Sequence, residues 1–328
     1  MPPRATALLS GPSCDAPPEQ KSSEPNTDNM PQQTREDSRR AQIKQLGKTV
    51  LLPLGKLEQR YISPQDLGAL RVTSVKPLNF YTGAVGRKMG SGSSQSEQYI
   101  RPISRNQMLE WLNANEPWKV DGQRDIWVPS KASTAQHEAN FLWNLIKTHL
   151  TSDRDGGPGL LFTQTPWLDI PEKRSIRFLE RLDQGILDWQ VKNVYQQAFK
   201  APTANMFVNR SFNPEKPHVM TFLADSAPLQ KDKISTSEMT ALVYLTTNSS
   251  IQALYRQHRF YPATIVSASD RRVRVIQCVL DAERSMFEIR QTPIIDFEDG
   301  VWENSKNLKE SYVALLGWLS SEAVGRTR

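Results

Sequence analysis

An α+β fold, with a mixed or antiparallel sheet, flanking helices and a disordered N-terminal tail, follows from three features of the 328-residue chain. Residues 235–319 read as helix, three strands and helix in close succession. Upstream, helical signals dominate between Ser104 and Ala198, with short β-like runs on either side. Residues 1–42 hold mostly Pro, Ser, Asn, Gln and charged side chains, too few large apolar groups to offset the entropy of ordering them. The boundaries that result are a tail over 1–42, a helix-rich α+β region over 43–230 and an α-β-β-β-α unit over 231–328, the last two packed as one body.

In chain order, Thr49-Val-Leu-Leu-Pro-Leu54 and Ala69-Leu-Arg-Val-Thr-Ser-Val75 predict strands, the first placed at an edge by Pro53. Gly83 to Ser96 predicts a loop. Ser104 with Gln107, and Ser133 with Gln136, are spaced as capping boxes, the second opening a helix of about 17 residues that ends near Thr151. Leu160-Leu-Phe-Thr163 suits a short buried strand. Asp169-Ile-Pro-Glu172 predicts the start of the longest helix, carrying Ile176, Leu179, Leu182, Ile186 and Trp189 on one face and running to Ala198. Met206-Phe-Val208 and Val219-Met-Thr-Phe-Leu223 form a loosely built hairpin.

Ser235 and Glu238 then cap a helix through Met239, Leu242, Val243 and Leu245, with a break expected at Thr246-Thr-Asn-Ser-Ser250, whose short polar side chains compete for backbone groups. Tyr261 to Ala268, Arg272 to Leu280 and Ser285 to Arg290 predict three strands, the middle one central because it is apolar at nearly every position. A closing helix from Ser305 carries Leu308, Tyr312, Leu315, Leu316 and Leu319 on one stripe.

Composition narrows the class. The two cysteines, Cys14 in the tail and Cys278 in the central strand, are not placed to pair, which implies a reducing, intracellular compartment, nuclear or cytoplasmic. The acid-free first 14 residues leave a mitochondrial presequence open. No apolar run approaches the roughly 20 residues of a membrane span. The formal charge of +6 is a mild basic excess, compatible with nucleic acid or another anionic partner.

Several motifs fail on spacing. Gly47-Lys48-Thr49 lacks the upstream glycine of a phosphate loop, the position being Gln42, and β-like residues follow it. His137-Glu138 meets Phe141 where a zinc-protease helix needs its second histidine. Asp153-Arg-Asp155-Gly156 lacks the further ligands of a calcium loop. No cofactor is therefore expected, and no metal from His and Cys ligands.

Two constellations remain. Asp281 at the end of one strand, with Glu288-Ile-Arg290 on the next, has the layout of restriction-type nuclease sites, in which carboxylates hold a divalent cation; here arginine stands in the lysine position. Arg271, Arg272 and Arg274, at the turn entering the central strand, suit phosphate contacts, with Arg256, His258 and Arg259 just upstream. At Phe260-Tyr-Pro-Ala-Thr-Ile-Val-Ser267 and Arg272-Val-Arg-Val-Ile-Gln277 the sequence resembles a group of filamentous-fungal proteins. The resemblance implies a fungal, intracellular protein and brings no catalytic motif. The expected function is a non-enzymatic binding or scaffold role with nucleic acid or a protein as partner, the alternative being a metal-dependent nuclease using Asp281, Glu288 and Arg290.

Overall fold

The computed structural model describes residues 32–57, 59–86, 97–114, 134–151, 165–170, 189–198, 212–303 and 307–328. Their helices are α1 (Gln32–Leu54), α2 (Pro64–Ala69), α3 (Arg105–Ala114), α4 (Ala135–Thr151), α5 (Thr236–Ile251) and α6 (Glu310–Leu319). The strands are β1 (Val72–Pro77), β2 (Ile100–Arg101), β3 (Trp167–Ile170), β4 (Trp189–Gln197), β5 (Val219–Asp225), β6 (Phe260–Ser269), β7 (Arg272–Asp281), β8 (Met286–Gln291), β9 (Ile295–Asp296) and β10 (Glu322–Ala323). No helix among the described residues is long and apolar enough to cross a membrane.

One mixed sheet organises the molecule, in the order β1-β8-β7-β6-β5-β4-β3, with β9 pairing the start of β7. Its β1–β8 and β5–β6 pairs are parallel and the rest antiparallel. The sheet crosses the boundary read near residue 230, so β1 joins β8 and β5 joins β6 across it. The strands β6, β7 and β8 form the expected meander, with β7 inside it. Alternation then divides the side chains: Ile265, Ile276, Cys278 and Ile289 face a core shared with α1 and α5, while Val266, Val273 and Val275 face one shared with α4 and α6.

The differences from the sequence reading have local causes. Thr49–Leu54 is the end of α1, not a strand, because Ile43, Leu46, Val50 and Leu54 recur at helical spacing and are buried against α5, with Pro53 confined to the last turn. Residues 32–42, assigned to the tail, are its first half; residues 1–31 lie outside the described ones. The helix α2 precedes β1 and uses Ser63 and Asp66 as a capping box with Pro64 in its first turn. At α4 the capping oxygen comes from Thr134, which accepts from His137 N at 3.2 Å.

Trp189–Gln197 is a strand, not the end of a long helix. Asn193 adopts φ 36° at a register shift between Lys192 and Val194. That bulge changes the alternation, so Trp189, Val191 and Val194 reach one core at spacings that imitate a helix face. Asp169 and Ile170 end the edge strand β3, and the predicted helix residues 171–188 lie outside the described ones, as do Leu160–Thr163 and Met206–Val208. The helix α5 runs unbroken through Thr246–Ser250: Thr246 and Thr247 hydroxyls donate to the Leu242 and Val243 carbonyls, and Ser249 to Pro217 O. The closing helix starts at Glu310, later than Ser305.

Candidate functional site

The hairpin β6–β7 turns at Asp270-Arg271, so residues opposite each other sum to 541 and Phe260 meets Asp281. The next hairpin sets Glu288 opposite Val279 and Arg290 opposite Gln277. Asp281, Gln277, Glu288 and Arg290 therefore share the sheet face that carries Val273 and Val275. Here β8 meets β1, bringing Lys76 beside Arg290. Among the described residues no helical residue lines this end of the face; Glu97 and Tyr99 wall it instead, and a cavity of about 450 Å³ results.

Asp281, Glu288 and Arg290 all line that cavity, together with Lys76, Glu97, Tyr99, Arg259, Phe260 and Arg284. Glu288 is held from both sides, Oε1 by Arg290 Nε at 2.6 Å and Oε2 by Lys76 Nζ at 2.5 Å. Asp281 accepts from Arg259 through two bonds, Nε at 3.2 Å and Nη2 at 2.9 Å, and from the Glu283 amide at 3.1 Å. Burial alone would raise both carboxyls. The Arg259 bonds at Asp281, and the Arg290 and Lys76 charges at Glu288, outweigh it and hold them below the ordinary carboxylate range.

Arg290 also donates to Glu97 O at 2.7 Å and to Gln277 Oε1 at 3.1 Å, and its guanidinium lies 5.0 Å from the Tyr99 ring centre. Arg259 stacks at 4.9 Å on the partly exposed Phe260. Arg284 is the open cation: its side chain is 76% exposed and reaches Asp281 only at 3.9 Å. The C-terminal segment ties down two of the lining segments: Thr327 O accepts from the amides of Arg259 and Phe260, and Tyr99 O accepts from Val324 N.

A divalent cation does not fit this donor set. The carboxylate oxygens of Asp281 and Glu288 are already turned onto guanidinium or ammonium groups, and four cationic side chains would surround the ion. Among the described residues no group of three or more His, Cys, Asp or Glu could hold a metal.

The arginines at the β6–β7 turn are not presented together. Arg274 is 1% exposed and forms a two-bonded ion pair with Glu238 on the α5 side of the sheet, while also donating to the Gln230 and Lys233 carbonyls. Arg271 is buried and paired with Glu138 of α4 on the other side, with a further bond to Glu298 O. Only Arg272 is exposed, and it pairs with Asp296 at 2.9 Å. Arg256 and His258 also lie away from the cavity lining, whereas Arg259 belongs to it.

The sequence held a partial signal for Arg259, since a two-residue turn at Asp270-Arg271 sets Phe260 opposite Asp281 and leaves Arg259 one position further along, within side-chain reach of it. No comparable signal exists for Lys76 or Tyr99, which arrive from distant segments. Comparison with protein-family models, with curated proteins and with solved structures finds no match, so the reading of this site rests on its own residues.

Proposed function

We propose that the chain is a non-enzymatic binding protein and that the Lys76–Tyr99–Arg290 cavity seats an anionic partner, a nucleic-acid strand being the class its chemistry suits. The observation that carries this is the convergence of Lys76, Arg259, Arg284 and Arg290 in one cavity against three carboxylates, with Arg284 exposed at its mouth. Arginine clusters suit phosphate oxygens, and aromatic rings offer stacking surface to unpaired bases. The cavity lies within the roughly 300–1,000 Å³ of ligand sites. Its floor is a paired sheet, so the charges are held in place before a ligand arrives.

The meeting of Asp281, Glu288 and Arg290 in one cavity favours a second reading, a nuclease-like enzyme. For it, a metal would have to displace Arg259 from Asp281 and both cations from Glu288, which is why the binding reading is preferred. Titration of fluorescent single-stranded DNA and RNA into the full chain at low salt, beside incubation of unlabelled strands with Mg²⁺ or Mn²⁺, separates the two. Saturable binding with intact strands is expected. Absence of binding removes the nucleic-acid reading, and cleavage abolished by Glu288→Gln establishes the enzyme.

A further inference from the structure

On the opposite side of the sheet, α1 and α5 pack side by side and leave an open groove of about 540 Å³ between them. Its walls come from Ile43, Leu51 and Leu52 of α1 and from Tyr244, Thr247 and Ile251 of α5. Gly47 faces Thr247 where the two helices meet, and a Cβ at Gly47 would make an ordinary contact 3.6 Å from the threonine hydroxyl. At 59% exposure, Leu52 is the most exposed of the large apolar side chains among the described residues, and Leu254 just beyond α5 is also open, at 43%. Isolated exposed leucines are ordinary, but an exposed leucine at the lip of an apolar groove marks a contact surface.

The charge around this groove has one sign. Lys44 and Lys48 line it, both exposed, and neither is paired with a carboxylate among the described residues; the lining contains no acidic side chain. Arg40 lies one turn earlier on the same stripe of α1, its Nε buried and without a hydrogen-bond partner among the described residues. Like charges at i, i+4 and i+8 disfavour a helix and are relieved by an opposite charge laid along them.

We infer that this groove is a docking site for an acidic amphipathic helix of a partner protein. The apolar face of that helix would sit between Leu51, Leu52, Tyr244 and Ile251, and its Glu or Asp residues would lie against Lys44 and Lys48. From Ile43 to Leu52 the groove offers roughly 14 Å of helix, enough for about two and a half turns of a partner. That length suits the i, i+3, i+4, i+7 anchor pattern of helix-in-groove recognition. The apolar walls favour a peptide over nucleic acid, for which a basic stripe alone would suffice. The surface lies on the other face of the sheet from the Lys76–Arg290 cavity, and the two can be tested apart.

The test uses two synthetic helical peptides with the same leucine stripe, one flanked by glutamates and one by lysines, titrated against the full chain by fluorescence anisotropy. The glutamate peptide is expected to bind and the lysine peptide to bind about tenfold more weakly or not at all. The double substitution Lys44→Glu/Lys48→Glu should invert that preference. Leu52→Asp, at an exposed position, should abolish binding while leaving the melting temperature unchanged. Failure of the glutamate peptide to bind, or equal binding of both peptides, overturns the proposal. So does concentration-dependent self-association that Leu52→Asp abolishes, which would give the groove to a second copy, or competition by single-stranded DNA, which would give it to nucleic acid.

Discussion

Cys278 occupies the middle of β7 with no exposed surface, and burial pushes its thiol well above the usual range. A neutral, enclosed thiol is inert, so native protein should resist iodoacetamide and react only after denaturation; rapid native labelling would mean that β7 opens. Arg274 and Glu238 pose the opposite problem, two charges in the same core. Burial would raise the Glu238 carboxyl, yet the Arg274 guanidinium prevails and holds it below the ordinary glutamate range. Since the folded state then titrates below the unfolded one, the unfolded chain takes up the proton first. The pair's contribution is therefore full above the ordinary glutamate range and is lost as pH falls through the lowered folded value. Arg274→Met strands a buried carboxylate and should cost about 3–5 kcal/mol in urea unfolding. Arg274→Met/Glu238→Gln, which keeps an acceptor for the Ser235 amide, should cost less than the single change. An unchanged midpoint for Arg274→Met would refute the pairing. At this scale the sequence was a partial guide: an arginine inside an apolar strand was visible, but its partner lies 36 residues away on a helix, and nothing local marks one arginine of Arg271, Arg272 and Arg274 as buried on each side and the third as exposed.

Two glycines show how packing between elements decides the sign of a substitution. In α1, Gly47 faces Thr247 with room for a methyl group, the nearest atom lying 3.6 Å from where a Cβ would be. Gly47→Ala should stabilise the protein by about 0.5–1 kcal/mol by lowering the flexibility of the unfolded chain. In α6, a Cβ at Gly317 would come within 2.6 Å of the Ile103 carbonyl, where α6 meets the segment leading into α3. Gly317→Ala should lower stability by about 1–3 kcal/mol. Thermal melts of the two variants check both signs, and the same sign for both would contradict the packing. The reach of sequence reasoning follows the same logic. The meander β6–β7–β8 and the cap at Ser235 were legible because short-range signals, a tight turn and a capping box, determine them. The helix α5 was misread as broken because its Thr and Ser hydroxyls bond back to carbonyls one turn earlier, and β4 was misread as helix because the Asn193 bulge disguises its alternation.

At the scale of the whole molecule, the sheet joins segments more than 200 residues apart: β1 lies against β8, and Lys76 thereby meets Glu288. The cavity exists only because of that pairing, which no local pattern encodes. Asp281, Glu288 and Arg290 could be nominated as a set because one hairpin holds them, but their partners, and hence the chemistry of the site, could not. Among the described residues no helix lines the end of the β7–β8 face where Lys76, Arg259, Arg284 and Arg290 converge, and the proposed anionic partner would sit there and not at the β6–β7 turn. Each phosphate contact releases counterions, so the slope of log K against log salt counts the contacts. The deciding measurement is that slope for single-stranded DNA with the unmodified chain, Arg284→Gln and Arg272→Gln. Loss of a cavity contact should reduce the slope by about 1 in Arg284→Gln and leave it unchanged in Arg272→Gln. The reverse outcome, a slope altered by Arg272→Gln and untouched by Arg284→Gln, would contradict the assignment of the site to the cavity.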